Sequence, residues 1–169
     1  VKSVFDSVAK KYDIMNDVMS IFIHRFWKDI FVFYCNVNRG DKILDLAGGT
    51  GDLAKRFLDL VGDNGEVVVG DINLNMLKIG KQKLNKLFFN NVRYVHLNAE
   101  KLPFNDNYFD CVSIGFGIRN FTNMLMALQN IYKTLKIGGK LIILEFSHPT
   151  NDFISSFYDL YSFNILPKF

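Results

Sequence analysis

The chain has 169 residues, 49% hydrophobic and 22% charged, with 20 Lys and Arg against 17 Asp and Glu for a net charge of +3. That length suits one globular domain, and the apolar content can offset the entropy of ordering the chain, which excludes intrinsic disorder. The two signs of charge are interspersed, without the basic blocks of nucleic-acid-binding tails, so no nucleic-acid partner is expected.

Cys35 and Cys111 are too few for a disulfide scaffold and have no metal-ligand spacing, so two reduced thiols of an intracellular protein and no catalytic metal are expected. No leader pattern is read from Val1 onward. The most apolar stretches, 30–34 and 153–169, are too short or too interrupted to cross a bilayer.

In chain order, residues 1–38 read as two aromatic-rich helices broken near Ser20. Lys42 to Ala47 is a short apolar run that enters glycines directly, as a buried strand does before a tight turn. A helix is predicted from Asp52 to Leu60 with Leu53, Phe57 and Leu60 on one face. A second strand runs from Glu66 to Asp71. Asn73 offers an N-cap for a helix carrying Met76, Leu77, Leu84 and Leu87. Strands follow at 93–97 and 110–114, then a helix over 123–135 with Leu125, Leu128, Ile131 and Leu135 at helical spacing. Gly138 and Gly139 end that segment and launch a fifth strand, Lys140 to Glu145. Apolar, unalternating strands separated by amphipathic helices specify an α/β, doubly wound, Rossmann-like parallel sheet covered on both faces.

Ligands of such sheets bind beyond the carboxyl ends of the strands, where strand order reverses. After the first strand comes Asp45-Leu-Ala-Gly-Gly-Thr-Gly51-Asp52, in which glycines let the backbone approach a ligand closely. After the second comes Asp71, twenty residues beyond Gly51, where a carboxylate can accept the hydroxyls of an adenosine ribose. Asn98 and Ala99 follow the third strand and could read an adenine ring. Gly115 to Asn120 follow the fourth.

The glycine loop fits a dinucleotide as well as a methyl donor. Asp45 would repel a pyrophosphate but suits a sulfonium cofactor with an amino-acid tail, and the loop has no Lys or Arg before Lys55. These residues favour S-adenosylmethionine, with S-adenosylhomocysteine as product. An NAD(P)-dependent oxidoreductase on the same sheet stays open as the alternative.

Further motifs carry a resemblance. Val4 to Asp13 with Met15-Asn-Asp, His24-Arg25 and Trp27-Lys28 look like the opening of the ubiquinone/menaquinone-biosynthesis C-methyltransferase family, of the class I S-adenosylmethionine-dependent methyltransferases. Leu44 to Asp52, Asp71-Ile-Asn73, Asn98 to Phe104, Phe116-Gly-Ile-Arg-Asn120, Leu144-Glu-Phe-Ser147 and Pro149 are similar to that family in order and spacing, over essentially the whole chain. The resemblance implies C-methylation of a polyprenyl benzoquinol or of demethylmenaquinol. It implies Thr50, Asp71, Asn98 and Ala99 as cofactor contacts beside Gly49 and Gly51, and Asp45 joins them from the charge reading above. The family commonly carries Ser where this chain has Gly115, so backbone would replace one side-chain contact there.

Three parts are expected: a helical cap (1–40), a cofactor-binding α/β core (41–148) and the start of a carboxyl-terminal lid (149–169). The family's last two strands would lie beyond this chain, which would make it a truncated form of uncertain turnover. A non-catalytic subunit of a quinone-biosynthesis complex is a further alternative.

Methyl transfer to carbon asks a protein mainly to position the reactants and exclude water, then to remove a ring proton. Arg119 is the first candidate to hold a phenolate oxygen, and Tyr12 is a candidate to close over the cofactor or substrate. Glu145 is readable as a base or as a structural carboxylate. His24, His96 and His148 read as structural, and Arg119 also reads as the partner of an acidic neighbour.

The 17 Phe concentrate in Phe22 to Phe33 and Phe146 to Phe169, outside the nucleotide-binding strands. They suggest a surface for a lipid tail, a peripheral membrane contact, a homodimer or a larger complex, with biased codon usage as the plain alternative. A mitochondrial inner-membrane site on the matrix side is expected for a eukaryotic source, and the cytoplasm for a bacterial one.

Overall fold

A computed structural model of the protein describes residues 23–85 and 90–145. The first of the two amino-terminal helices, Tyr12, Leu87, His148 and the 149–169 segment lie outside the described residues.

The elements in chain order are α1 (Ile23–Cys35), β1 (Lys42–Leu46), α2 (Asp52–Val61), β2 (Glu66–Asp71) and α3 (Leu74–Asn85). They are followed by β3 (Val92–His96), β4 (Phe109–Gly115), a 3₁₀ turn (Ile118–Asn120), α4 (Met124–Thr134) and β5 (Leu135–Leu144). All pairings in the described sheet are parallel, in the order β3-β2-β1-β4-β5. The chain moves outward from β1 to β3, then crosses back to the other side of β1 to lay down β4. The reversal falls between β1 and β4, and a crevice opens there because the flanking connections diverge to opposite faces.

Alternate residues of each strand feed two apolar clusters, one on each face. Ile43, Val67, Val69 and Cys111 pack with Leu53, Phe57 and Val61 of α2, Leu77 and Leu84 of α3, and Phe31, Val32 and Cys35 of α1. Leu44, Leu46, Val68, Val112 and Ile114 pack on the other face with Ala127 and Ile131 of α4 and with Leu97 and Ala99. This double burial is why the strands read as continuous apolar runs. Cys35 and Cys111 are both buried free thiols. A side-chain hydrogen bond that the Cys35 thiol donates to Cys111, together with burial, pushes the Cys35 pKa far above its ordinary range.

Three sequence expectations shift. On α2, Val61 is buried and Leu60 is 41% exposed, because the face set by Leu53 and Phe57 continues at the i+4 position. On α4 the buried face is Ala127, Ile131 and Thr134; of the expected stripe Ile131 is buried and Leu128 and Leu135 are partly buried, while Leu125 is 68% exposed. Gly138 and Gly139 do not precede β5 but lie within it. Leu135 pairs with Phe109 and Lys140 with Cys111, so the intervening residues bulge, with Gly138 at φ +81°.

Candidate functional site

A cavity of about 340 Å³ opens at the carboxyl ends of the strands, at the reversal point. Along the rim, Asn98 and Ala99 follow β3, Asp71 ends β2, Asp45 to Thr50 continue β1, and Gly115 to Gly117 continue β4. Seven of the eight expected cofactor residues line it: Asp45, Gly49, Thr50, Asp71, Asn98, Ala99 and Gly115. Gly51 does not. It is the buried N-cap of α2 at φ +77°, a turn residue that aims the helix without facing the cavity.

The loop after β1 is shaped by backbone that most side chains resist. Gly49 stands at φ +55°, and Ala47 and Phe116, which follow β1 and β4, also take positive φ (57° each). A non-glycine residue held there stores roughly 1 kcal/mol or more, and such strain clusters at ligand sites. Asp71 fixes the loop: Oδ2 accepts the Gly49 N–H at 2.9 Å and Oδ1 accepts the Asn73 N–H at 2.8 Å. Burial raises the Asp71 pKa, opposed by the backbone N–H groups of Asn73, Gly49 and Ile72. Asn73 caps α3 as expected, its Oδ1 accepting the N–H groups of Asn75 and Met76 at 2.9 and 3.2 Å.

Gly80 of α3 was not singled out from sequence, yet it sets how close that helix sits to the loop. A Cβ there would come within 3.0 Å of the Thr50 carbonyl group. Gly115 is tight in another way: a Cβ would meet Leu53 Cδ1 at 2.6 Å, so a larger residue at this position would require the leucine to turn aside.

Asp45 is fully buried beneath the loop. Its Oδ1 accepts a hydrogen bond from Ser113 Oγ at 3.0 Å, whereas Oδ2 has no hydrogen-bond partner among the described residues. Burial pushes its pKa up to about 7 against the Ser113 hydrogen bond. The Ala54 N–H favours the ionised form, Asp52 raises the value further and Lys28 lowers it.

Lys28 of α1 reaches the same wall. Its Nζ lies 2.7 Å from Asp52 Oδ2, and Arg56 Nη1 lies 2.9 Å from Asp52 Oδ1. Burial works against the Asp52 carboxylate, but Lys28 and then Arg56 overcome it and hold its pKa well below the usual carboxylate range. Sequence reasoning placed neither Lys28 nor Asp52 among the site residues. Met76, whose Cε lies 3.3 Å from where a Cβ on Gly49 would stand, was missed as well.

Arg119 does not line the cavity, although Gly117 and Asn120 do. It is about half exposed on the 3₁₀ turn, with Nη1 3.2 Å from Glu145 Oε1 at the end of β5. His96, at the end of β3, places Nε2 3.0 Å from the Ile72 carbonyl, which fits a structural role. The His24 side chain lies outside the described residues. Among the described residues no cluster of His, Cys, Asp and Glu could hold a metal ion, and no helix is long and apolar enough to cross a membrane.

The profile of the ubiE/COQ5 methyltransferase family matches residues 1–169. The ubiquinone/menaquinone biosynthesis C-methyltransferase UbiE of Coxiella burnetii is 54% identical over 99% of this chain and 68% of its own. That of Shewanella baltica is 57% identical over 99% of this chain and 67% of its own, so the chain spans about two thirds of these relatives. Among solved structures, a SAM-dependent methyltransferase from Aquifex aeolicus superposes with a TM-score of 0.68 at 23% identity, covering 74% of this chain and 66% of that one. That likeness concerns the fold.

Proposed function

The chain belongs to the ubiE/COQ5 methyltransferase family, and on that premise we propose that it catalyses S-adenosylmethionine-dependent C-methylation of a polyprenyl benzoquinol or of demethylmenaquinol. The observation that carries the reading is Asp45, a buried carboxylate with one oxygen lacking a hydrogen-bond partner on the cavity wall. A cationic cofactor tail satisfies that oxygen, whereas a dinucleotide would set two phosphates against Asp45 and Asp52. This argues against the oxidoreductase alternative.

The lining residues fit the cofactor. Asp71 would hold the ribose, Asn98 and Ala99 the adenine, and Gly49, Thr50 and Asp45 the amino-acid tail, with Gly115 as backbone beside it. S-adenosylmethionine, when bound, supplies an electrophilic methyl group on a sulfonium. The chain's own tasks are then to hold the ring in line, to keep water out and to manage protons. In this reading Arg119, on the 3₁₀ turn next to the cavity-lining Gly117 and Asn120, stabilises the oxyanion that makes the ring carbon nucleophilic, and the Glu145 carboxylate paired with it takes the ring proton. Tyr12, expected from sequence to close over the site, belongs to the same proposal.

Peripheral membrane contact is part of this reading. On α1, Phe26, Phe33 and Tyr34 are 65%, 79% and 67% exposed, an apolar face suited to a bilayer in which the quinol tail resides. The relatives named above are bacterial, which favours the cytoplasmic side and lends no support to a mitochondrial setting. A homodimer or a biosynthetic complex would use the same face, and vesicle flotation against gel filtration separates these outcomes.

The test of the function is transfer of labelled methyl from S-adenosylmethionine to a short-chain quinol by the purified chain. Label on a ring carbon is the expected result. Cofactor binding without transfer would instead indicate a non-catalytic subunit.

A further inference from the structure

The cavity has a direction that the sheet imposes. Asn98, Asp71, Asp45 and Gly115 stand at the ends of β3, β2, β1 and β4, four adjacent strands, so they mark points along about 14 Å at the usual strand spacing. Asn98 and Asp71 carry the adenosine contacts of the proposed function, on which this inference rests. The tail of the cofactor is therefore directed toward β1 and β4, the side on which α1 packs.

Two opposite charges meet the cavity on that side. Asp45 offers an unpartnered carboxylate oxygen, and Lys28 offers an ammonium whose side chain is only 10% exposed. Lys28 is paired with Asp52, but Asp52 has a second cation in Arg56, and the other partner of Arg56, Asp29, is 67% exposed and largely screened by water. An ammonium has three donors, and the bond to Asp52 uses one of them. A buried anion and a buried cation on one wall match the two charges of an α-amino acid, ammonium toward Asp45 and carboxylate toward Lys28.

We propose that Lys28, carried on α1, binds the α-carboxylate of the cofactor's amino-acid tail. Helix α1 is thereby part of the binding site, and the Lys28–Asp52 ion pair presents the ammonium to the ligand as well as tying α1 to α2. The role belongs to a cation rather than to any hydrogen-bond donor, because an uncharged donor would leave the carboxylate's charge unbalanced in a buried site.

The test is a calorimetric comparison of three probes on wild type and Lys28→Met. S-adenosylmethionine carries both tail charges, its decarboxylated form carries only the amine, and 5′-methylthioadenosine carries neither. Lys28→Met should weaken S-adenosylmethionine by about tenfold or more and leave the other two within about twofold. Lys28→Arg should restore most of the loss. Equal weakening of all three probes, or of none, overturns the proposal and leaves Lys28 as a link between helices. Should thermal melting show that Lys28→Met is unfolded, Lys28→Gln gives the same three-probe comparison. A wild-type chain that binds none of the probes would overturn the cofactor reading itself, an outcome distinct from a flat Lys28 response.

Discussion

Ser113 Oγ donates to Asp45 Oδ1 at 3.0 Å, occupying one oxygen of a fully buried carboxylate and leaving the other for a ligand. The groups acting on Asp45 from the surrounding elements are Ser113 on β4, Lys28 on α1, and Ala54 and Asp52 on α2. With its pKa pushed up to about 7 by burial, Asp45 is partly neutral near physiological pH. The α-ammonium of the amino-acid tail binds the ionised form. Affinity for S-adenosylhomocysteine should therefore rise as pH increases from 5.5 and level off above about 7, by up to about tenfold per pH unit on the acid side. Stability runs the other way. The folded pKa lies above the unfolded one, so the stabilisation is fully present below about pH 4 and is lost as pH rises through about 7. Titrations across this range, repeated on Asp45→Asn, check both halves: the variant should show a flat affinity profile.

Asp71 holds the Gly49 and Asn73 N–H groups, so its carboxylate shapes the loop as well as facing the cofactor. Replacement by Ala should weaken S-adenosylhomocysteine at least tenfold, since it removes a charged acceptor and strands two backbone donors. Affinity equal to wild type would refute the ribose assignment.

The fold class was legible because buried strands and amphipathic helices alternate, and Asp45, Asp71 and Asn98 were legible as cavity residues because each lies at or just beyond the carboxyl end of a strand. Lys28 was not, since it reaches the site from a helix 24 residues before its partner Asp52, and no local pattern marks such a contact. Gly80 was not singled out, because the loop it touches lies 30 residues earlier in the chain. The α4 face was read only in part: Ile131 is buried as its spacing implied, but Leu125 is exposed, and the space beneath the helix admits the smaller Ala127 and Thr134.

Gly80→Ala sets two effects against each other. Alanine favours a helix interior by about 1 kcal/mol, but its Cβ would press the Thr50 backbone from 3.0 Å. The loop is the part that must yield. Cofactor affinity should fall about three- to tenfold, with the melting temperature changed little. Unchanged affinity would show that the loop tolerates the displacement.

Arg119 stands outside the cavity wall, so Arg119→Gln should leave cofactor affinity within about twofold while lowering the methyl-transfer rate by about 10²-fold or more. Equal losses in binding and rate would assign it to holding the 3₁₀ turn against Glu145 rather than to the chemistry.

The most direct measurement is a pair of calorimetric titrations of the wild-type chain, one with S-adenosylhomocysteine and one with NADH. Saturable binding of S-adenosylhomocysteine with a Kd on the order of 1–100 μM is expected, and no saturable binding of NADH. Saturable NADH binding with no response to S-adenosylhomocysteine would contradict the cofactor reading.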